Sequence, residues 1–164
     1  MELDETRWPK IRALASVPGR SAPKSVVAAL NSIIDGDPDT ASAWPSMDTT
    51  ASSTTWSCWI VTERSVGHVR IQYAKYLYDQ REEPQREITP SAWSAWVRPL
   101  ADIVGIRYGA YYVDPSKPTI FLPAEPIKVI FSDGEISIPD GPFPVEHRTT
   151  ADRIFSRLRA SVDF

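Results

Sequence analysis

Two histidines and one cysteine are the side chains here best suited to metal or nucleophilic chemistry, and their surroundings support neither. His68 falls in an alternating run over 66–73, and His147 closes the proline-rich stretch 142–147. Neither has a second His, Cys or carboxylate at the close offsets from which zinc ligands are built. Cys58 lies between Trp56 and Trp59, where burial raises a thiol's pKa and leaves it inert. No Gly-x-Ser-x-Gly elbow is present, so serine hydrolysis has no support. The expectation is therefore no catalytic residue, no metal and no cofactor.

Three further groupings approach a motif without completing it. Lys24-Ser25 at a helix start is similar to a phosphate loop, but Pro18 and Pro23 stand where such a loop needs glycine. Proline lacks the N–H that would cradle a phosphate. Asp35, Asp37 and Asp39 have the spacing that opens an EF-hand calcium loop, yet Thr40 replaces the turn glycine and Ser46 the closing glutamate. Glu82, Glu83 and Glu87 are interspersed with Arg81 and Arg86, which describes a solvated loop rather than an acid/base pair.

Bulk properties narrow the class. The chain has 164 residues, enough for one domain with a substantial core. A single cysteine cannot close an internal disulfide, the first residues are acidic where a targeting peptide is basic, and no apolar run reaches the ~18 residues of a membrane span. A cytoplasmic protein without a transmembrane segment is expected. A net charge of -3 disfavours nucleic acid, because phosphate binding needs clustered Lys and Arg. Fifteen prolines between apolar runs predict many short elements joined by rigid turns. Six tryptophans supply either core area or binding surface, and composition does not separate the two uses.

Val26, Val27, Leu30, Ile33 and Ile34 trace one helical face between Pro23 and Gly36, which predicts an amphipathic helix over 23–34. Residues 8–14 allow a helical turn that Pro18 and Gly19 stop early, giving an N-terminal arm. The Ser/Thr-rich stretch 37–55 buries too little to offset its ordering entropy, so a linker or mobile loop pinned at Trp44 is expected. The division is then 1–55 for arm, helix and linker, and 56–164 for a β-rich domain.

In that domain 56–62 and 66–73 form an antiparallel hairpin, with the alternation continuing through Tyr76, Leu77 and Tyr78. Residues 90–97 fit either period. Thr89-Pro90 is a good helix start, and a short helix or turn is preferred there, with extended chain after Pro99. A longer strand is expected over 102–113 and another at 120–122. Ile127, Val129 and Phe131 lead through Asp133-Gly134 to Ile136 and Ile138, a second hairpin. The chain closes with a helix over 150–162, capped by Thr149 or Thr150 and striped with Ile154, Phe155, Leu158 and Val162.

The order of these pieces resembles the bacterial pleckstrin-homology-like (PH-like) domains over about residues 59–162. It rests on Trp59-Ile60-Val61-Thr62-Glu63-Arg64 leading into 66–73, on 97–106, on Phe131-Ser132-Asp133-Gly134-Glu135-Ile136, and on the helix 151–162. The resemblance implies an open, bent antiparallel barrel closed by the last helix, and binding of proteins or lipid head groups rather than chemistry. The first third has no counterpart in a minimal PH-like domain. The alternative is a helix, sheet, helix sandwich of the kind used by secretion chaperones and toxin-immunity proteins.

The fold class expected is thus α+β, a bent antiparallel sheet or open PH-like barrel with an extra N-terminal helix. Two surfaces could carry binding. His68, Arg70, Gln72, Tyr76 and Tyr78 share the polar side of the second strand, an aromatic and arginine composition typical of interface hot spots. A second core layer would explain Tyr76 and Tyr78 equally well. Arg148, Arg153, Arg157 and Arg159 form a basic ridge on the closing helix, explained either by a solvated face or by an anionic partner. The expected role is a non-enzymatic protein-binding module, an adaptor or immunity-type protein; the alternative is a domain that binds anionic lipid head groups.

Overall fold

A computed structural model of the chain describes residues 5–84, 88–113, 115–117, 119, 121–139 and 147–162. Arg86, Glu87, Ile120 and the loop 142–146 of the sequence reading lie outside the described residues. The fold is α+β, with helices at the N-terminal end, antiparallel sheets and a C-terminal helix. Among the described residues the strands fall into three separate sheets and close no barrel. The chain forms two compact units, Met1–Arg98 and Pro99–Phe164. A division at 55/56 would cut through a strand, as described next.

The first unit begins with α1 (Arg7–Ala15) and α2 (Lys24–Ile33). α1 corrects the expected arm: it is a nine-residue helix, held by a contact the local sequence does not signal. Arg7 donates from Nε to Asn31 Oδ1 at 2.8 Å and from its guanidinium to the carbonyls of Ile34 and Gly36. It thereby satisfies carbonyls that the C-terminus of α2 leaves open. After α1 the chain reverses through Pro18-Gly19, with Gly19 at φ 74° and Val17 paired to Arg20.

The supposed linker is also ordered. Pro38–Thr40 forms a 3-10 turn capped by the Asp37 carboxylate, which accepts from Asp39 N–H at 3.0 Å. Strand β1 (Ser42–Thr49) follows and pairs residue for residue with β2 (Thr54–Val61), from Ser42 opposite Val61 to Thr49 opposite Thr54. β2 pairs in turn with β3 (Ser65–Tyr73), the predicted hairpin. The sheet order is β1-β2-β3-β4, with β4 (Ala92–Pro99) at its end.

β4 corrects the preferred helix at 90–97. The outer edge of β3 presents carbonyls that need donors, and Ser91 N–H donates to Gln72 O at 2.8 Å. The Ser91 N–H bonded to Gln72, and further along β4 the Trp96 backbone carbonyl close to Gly67, set β4 antiparallel to β3.

One face of this sheet carries the core. Trp56, Cys58 and Ile60 of β2 lie opposite Ile71, Val69 and Gly67 of β3, and Ile11, Ala15, Val26, Val27, Leu30 and Ile33 of the two helices join them. Fully burying each large aliphatic side chain is worth roughly 1.5–3 kcal/mol, so this layer dominates the unit's stability.

The second unit contains β5 (Ile103–Arg107), β6 (Tyr111–Val113), β7 (Phe121–Pro123), β8 (Ile127–Phe131), β9 (Gly134–Ile138) and α3 (Arg148–Ser161). The single strand expected over 102–113 is broken in two, and the chain between carries Gly109, whose position leaves no room for a Cβ beside Glu125. β5, β8 and β9 make a three-stranded sheet and β6 pairs with β7. The β8–β9 hairpin is as predicted, although its two turn residues are Ser132 and Asp133, with Gly134 opening the return strand opposite Phe131. A bulge leaves Val104 without a partner between Ile103 and Gly105, which exposes it. α3 buries Ala151, Ile154, Phe155 and Leu158 and packs against β7. It starts at Arg148 with His147 as its N-cap residue, and no side chain caps it, contrary to the threonine cap expected.

Candidate interaction surface

The polar groups that suggested motifs are engaged in holding the fold. Lys24 N–H, at the start of α2, donates to Glu83 Oε1 at 2.7 Å, and Ser25 hydrogen-bonds the Tyr73 hydroxyl. Lys10 pairs with Asp39 and lies 4.0 Å from Asp37, while Asp35 faces Arg64 at 3.9 Å. Glu82 pairs with Lys75. Cys58 is buried, and burial pushes its thiol up to about 12, a hydrogen bond with the Trp44 backbone offsetting part of the rise. It is the buried core thiol expected from its neighbours.

The five residues proposed for one binding face are not on one surface. His68 is only 4% exposed. Its ring stacks on Trp59 at 4.1 Å and 18°, Trp96 of β4 closes edge-on over Trp59 at 5.6 Å, and His68 Nε2 and Ser57 Oγ are 2.7 Å apart. The Ser57–His68 contact has the length of a nucleophile–base pair, but the aromatic stack and the half-buried serine make it a bond that satisfies a ring nitrogen taken out of water. Tyr78 is buried against Tyr73, with centroids 4.2 Å apart, and its carbonyl accepts from Trp56 Nε1 at 3.0 Å. Leu77, at φ 51°, is the residue that turns Tyr78 inward. Gln72 is half-buried and its carbonyl is used by Ser91. Arg70 and Tyr76 remain exposed, Tyr76 by 54%.

The basic ridge is likewise divided. Arg153 and Arg159 are exposed, Arg148 and Arg157 half-buried. The Arg148 guanidinium lies 4.4 Å over the Tyr112 ring and that of Arg159 5.5 Å over Tyr108, cation–π contacts that hold two of the four against aromatic faces. Burial raises the pKa of the Tyr108 phenol, with Arg159 opposing the shift.

Two features escaped the sequence reading. The first is Asp79, 1% exposed, whose Oδ2 accepts from Arg20 Nη1 at 2.9 Å and Arg81 Nη2 at 2.7 Å while Oδ1 accepts from Arg81 N–H. The second is β4 itself. Trp96 faces Trp59 and His68, so alternation sends Trp93, Ala95 and Val97 to the other side of the sheet, where Ala95 touches the helix-covered core. Trp93 is 70% exposed and Val97 45%. A long terminal strand with large apolar side chains in water is a template for another strand. The alternation of Trp93, Ala95 and Val97 was the available signal, and helical spacing at 93, 96 and 97 masked it.

Gly67 sets how closely β4 approaches. A Cβ there would stand 2.9 Å from the Trp96 carbonyl oxygen and 3.0 Å from Ile33 Cδ1. Gly67→Ala is expected to push β4 outward and cost about 1–3 kcal/mol, as overpacking does. A urea midpoint equal to wild type, with β4 amides still protected from exchange, would contradict this.

No helix among the described residues is long and apolar enough to cross a membrane, and no group of three or more His, Cys, Asp or Glu among them could hold a metal ion. No protein-family model, curated protein or solved structure matches this chain.

Proposed function

We propose that this protein is a non-enzymatic protein-binding module, of the adaptor or immunity type, and that it binds through the outer edge of β4. The observation that carries this reading is an eight-residue terminal strand on which Trp93 is the most exposed large apolar side chain of the described residues. Strand addition draws affinity from backbone hydrogen bonds and specificity from alternate side chains, and tryptophan is the residue most enriched at interface hot spots. The PH-like resemblance supports the same class, binding rather than chemistry.

The test is capture of protein partners by the full chain, compared with Trp93→Lys and with Tyr76→Ala as an exposed aromatic control outside β4. The lysine substitution should abolish stoichiometric capture and the tyrosine substitution leave it intact. Partners captured equally by all three forms would remove β4 as the binding edge.

A second reading, binding of anionic lipid head groups, is favoured by one observation on the second unit. Arg148 and Arg159 stack on tyrosines of a region that also exposes Tyr111 and Phe121, an arginine and aromatic mixture suited to a membrane interface. Co-sedimentation with phosphatidylserine vesicles that weakens as salt rises is the expected result on this reading, since such attraction is screened within a Debye length. Absence of binding at low salt would dispose of it.

A further inference from the structure

We infer that the partner strand at the β4 edge is β4 of a second copy of this chain, in an isologous two-fold dimer. This inference rests on the reading of β4 as the binding edge and adds the identity of its occupant.

The argument is one of register. Two copies of one strand related by a two-fold axis normal to the sheet run antiparallel, and directly opposed residues must share a face. Only registers centred on a residue satisfy that condition. Centring on Ala95 sets Trp93 opposite Val97 of the second copy, and Val97 opposite its Trp93. The two exposed apolar side chains of the strand therefore cover each other twice, as an aromatic and β-branched cross-strand pair. Ser94 then faces Trp96, and Arg98, the one charged residue of β4, faces Ala92, so no like charges are opposed. A sequence that pairs with itself in this way, on an edge no other described strand occupies, fits a second copy without any further partner being needed.

One strand pair is small beside a standard interface of roughly 1,200–2,000 Å², so the association is expected to be on the order of micromolar rather than permanent. Sedimentation velocity of the full chain over a micromolar to millimolar series should show the mass rising from 18.4 kDa toward twice that value. The double substitution Trp93→Lys, Val97→Lys should remain monomeric with an unchanged circular dichroism spectrum, because both positions are exposed.

Cysteine cross-linking tests the register independently and does not depend on the lysine form folding. Residue 95 would oppose itself at about 4.5–5.5 Å between Cα atoms, within disulfide reach, whereas residue 93 would stand about 13 Å from its own copy along the strand. The chain's own thiol, Cys58, is buried and takes no part. Ala95→Cys should therefore form a covalent dimer under mild oxidant and Trp93→Cys should not.

A wild-type chain that stays at 18.4 kDa throughout, a dimer that survives both lysines, or equal cross-linking from positions 93 and 95 would each overturn the inference. A monomeric wild type that still captures another protein in a Trp93-dependent way would overturn the dimer while leaving β4 as the binding edge. A monomer whose captures ignore Trp93→Lys would end both.

Discussion

Trp56→Ala should destabilise the protein by about 3–5 kcal/mol, the cost of removing a large aromatic side chain from a packed core. Trp56 is buried at the centre of the helix-covered face, opposite Ile71 on β3 and Met47 on β1. Its indole also donates to the Tyr78 carbonyl, tying the loop after β3 back onto β2. Typical domains are stable by only 5–15 kcal/mol, so the loss consumes a large part of what holds the chain folded. Trp56→Phe separates the two contributions, since it keeps most of the apolar contact and removes the hydrogen bond, at about 1–3 kcal/mol. Guanidinium denaturation followed by near-ultraviolet circular dichroism reads both. A midpoint for Trp56→Ala within error of wild type would show that the β2 face is not the core described.

The second large effect is tied to pH. Burial alone would raise the pKa of Asp79, but hydrogen bonds from Arg81 and Arg20 outweigh it and hold the carboxyl below the ordinary aspartate range. A folded-state pKa lower than the unfolded one means that the unfolded chain binds the proton more readily. The resulting stabilisation is complete above the unfolded value of ~3.9 and is lost as pH falls through the folded value. Asp79→Asn should therefore cost about 2–3 kcal/mol at pH 7, from hydrogen bonds to a charged group, with the share of the largely exposed Arg81 discounted for solvent screening. The gap between the two proteins should narrow as pH falls below about 4, where the unfolded chain's carboxylate begins to take up its proton while the folded one still holds its charge. Urea midpoints measured at pH 7 and pH 3 decide the matter, and equal midpoints at pH 7 would show that the arginines do not hold the carboxylate in solution.

Elements whose own residues bury were legible from the chain. α2 carries Val26, Val27, Leu30 and Ile33 on one face, and β8 alternates Ile127, Val129 and Phe131 before a tight turn. Periodicity reports burial, and these segments are buried on one side. β1 has no such signature because it is an edge strand: its order comes from an eight-residue backbone ladder to β2, and Pro45 is tolerated where one N–H can be spared. α1 depends on Arg7 reaching residues 24 to 29 positions away, which no local rule detects.

Which side chains reach the surface was harder still to foresee. His68 has a polar side chain at a polar position of β3, yet Trp59 and Trp96 from two other strands enclose it. Tyr78 turned inward because a leucine adopts a conformation usually supplied by glycine or asparagine. Both depend on which strands become neighbours, a property of topology that residue spacing along one strand does not encode.

The solitary thiol in the middle of the first sheet gives the molecule an internal clock. Cys58 is buried and its pKa lies near 12, so an alkylating reagent reaches it as a reactive thiolate only when β2 separates from the helices above it. With one cysteine in the chain, every labelling event reports that same opening. When reclosing outruns labelling, the ratio of the observed rate to that of a free thiol is the equilibrium constant for exposing the core.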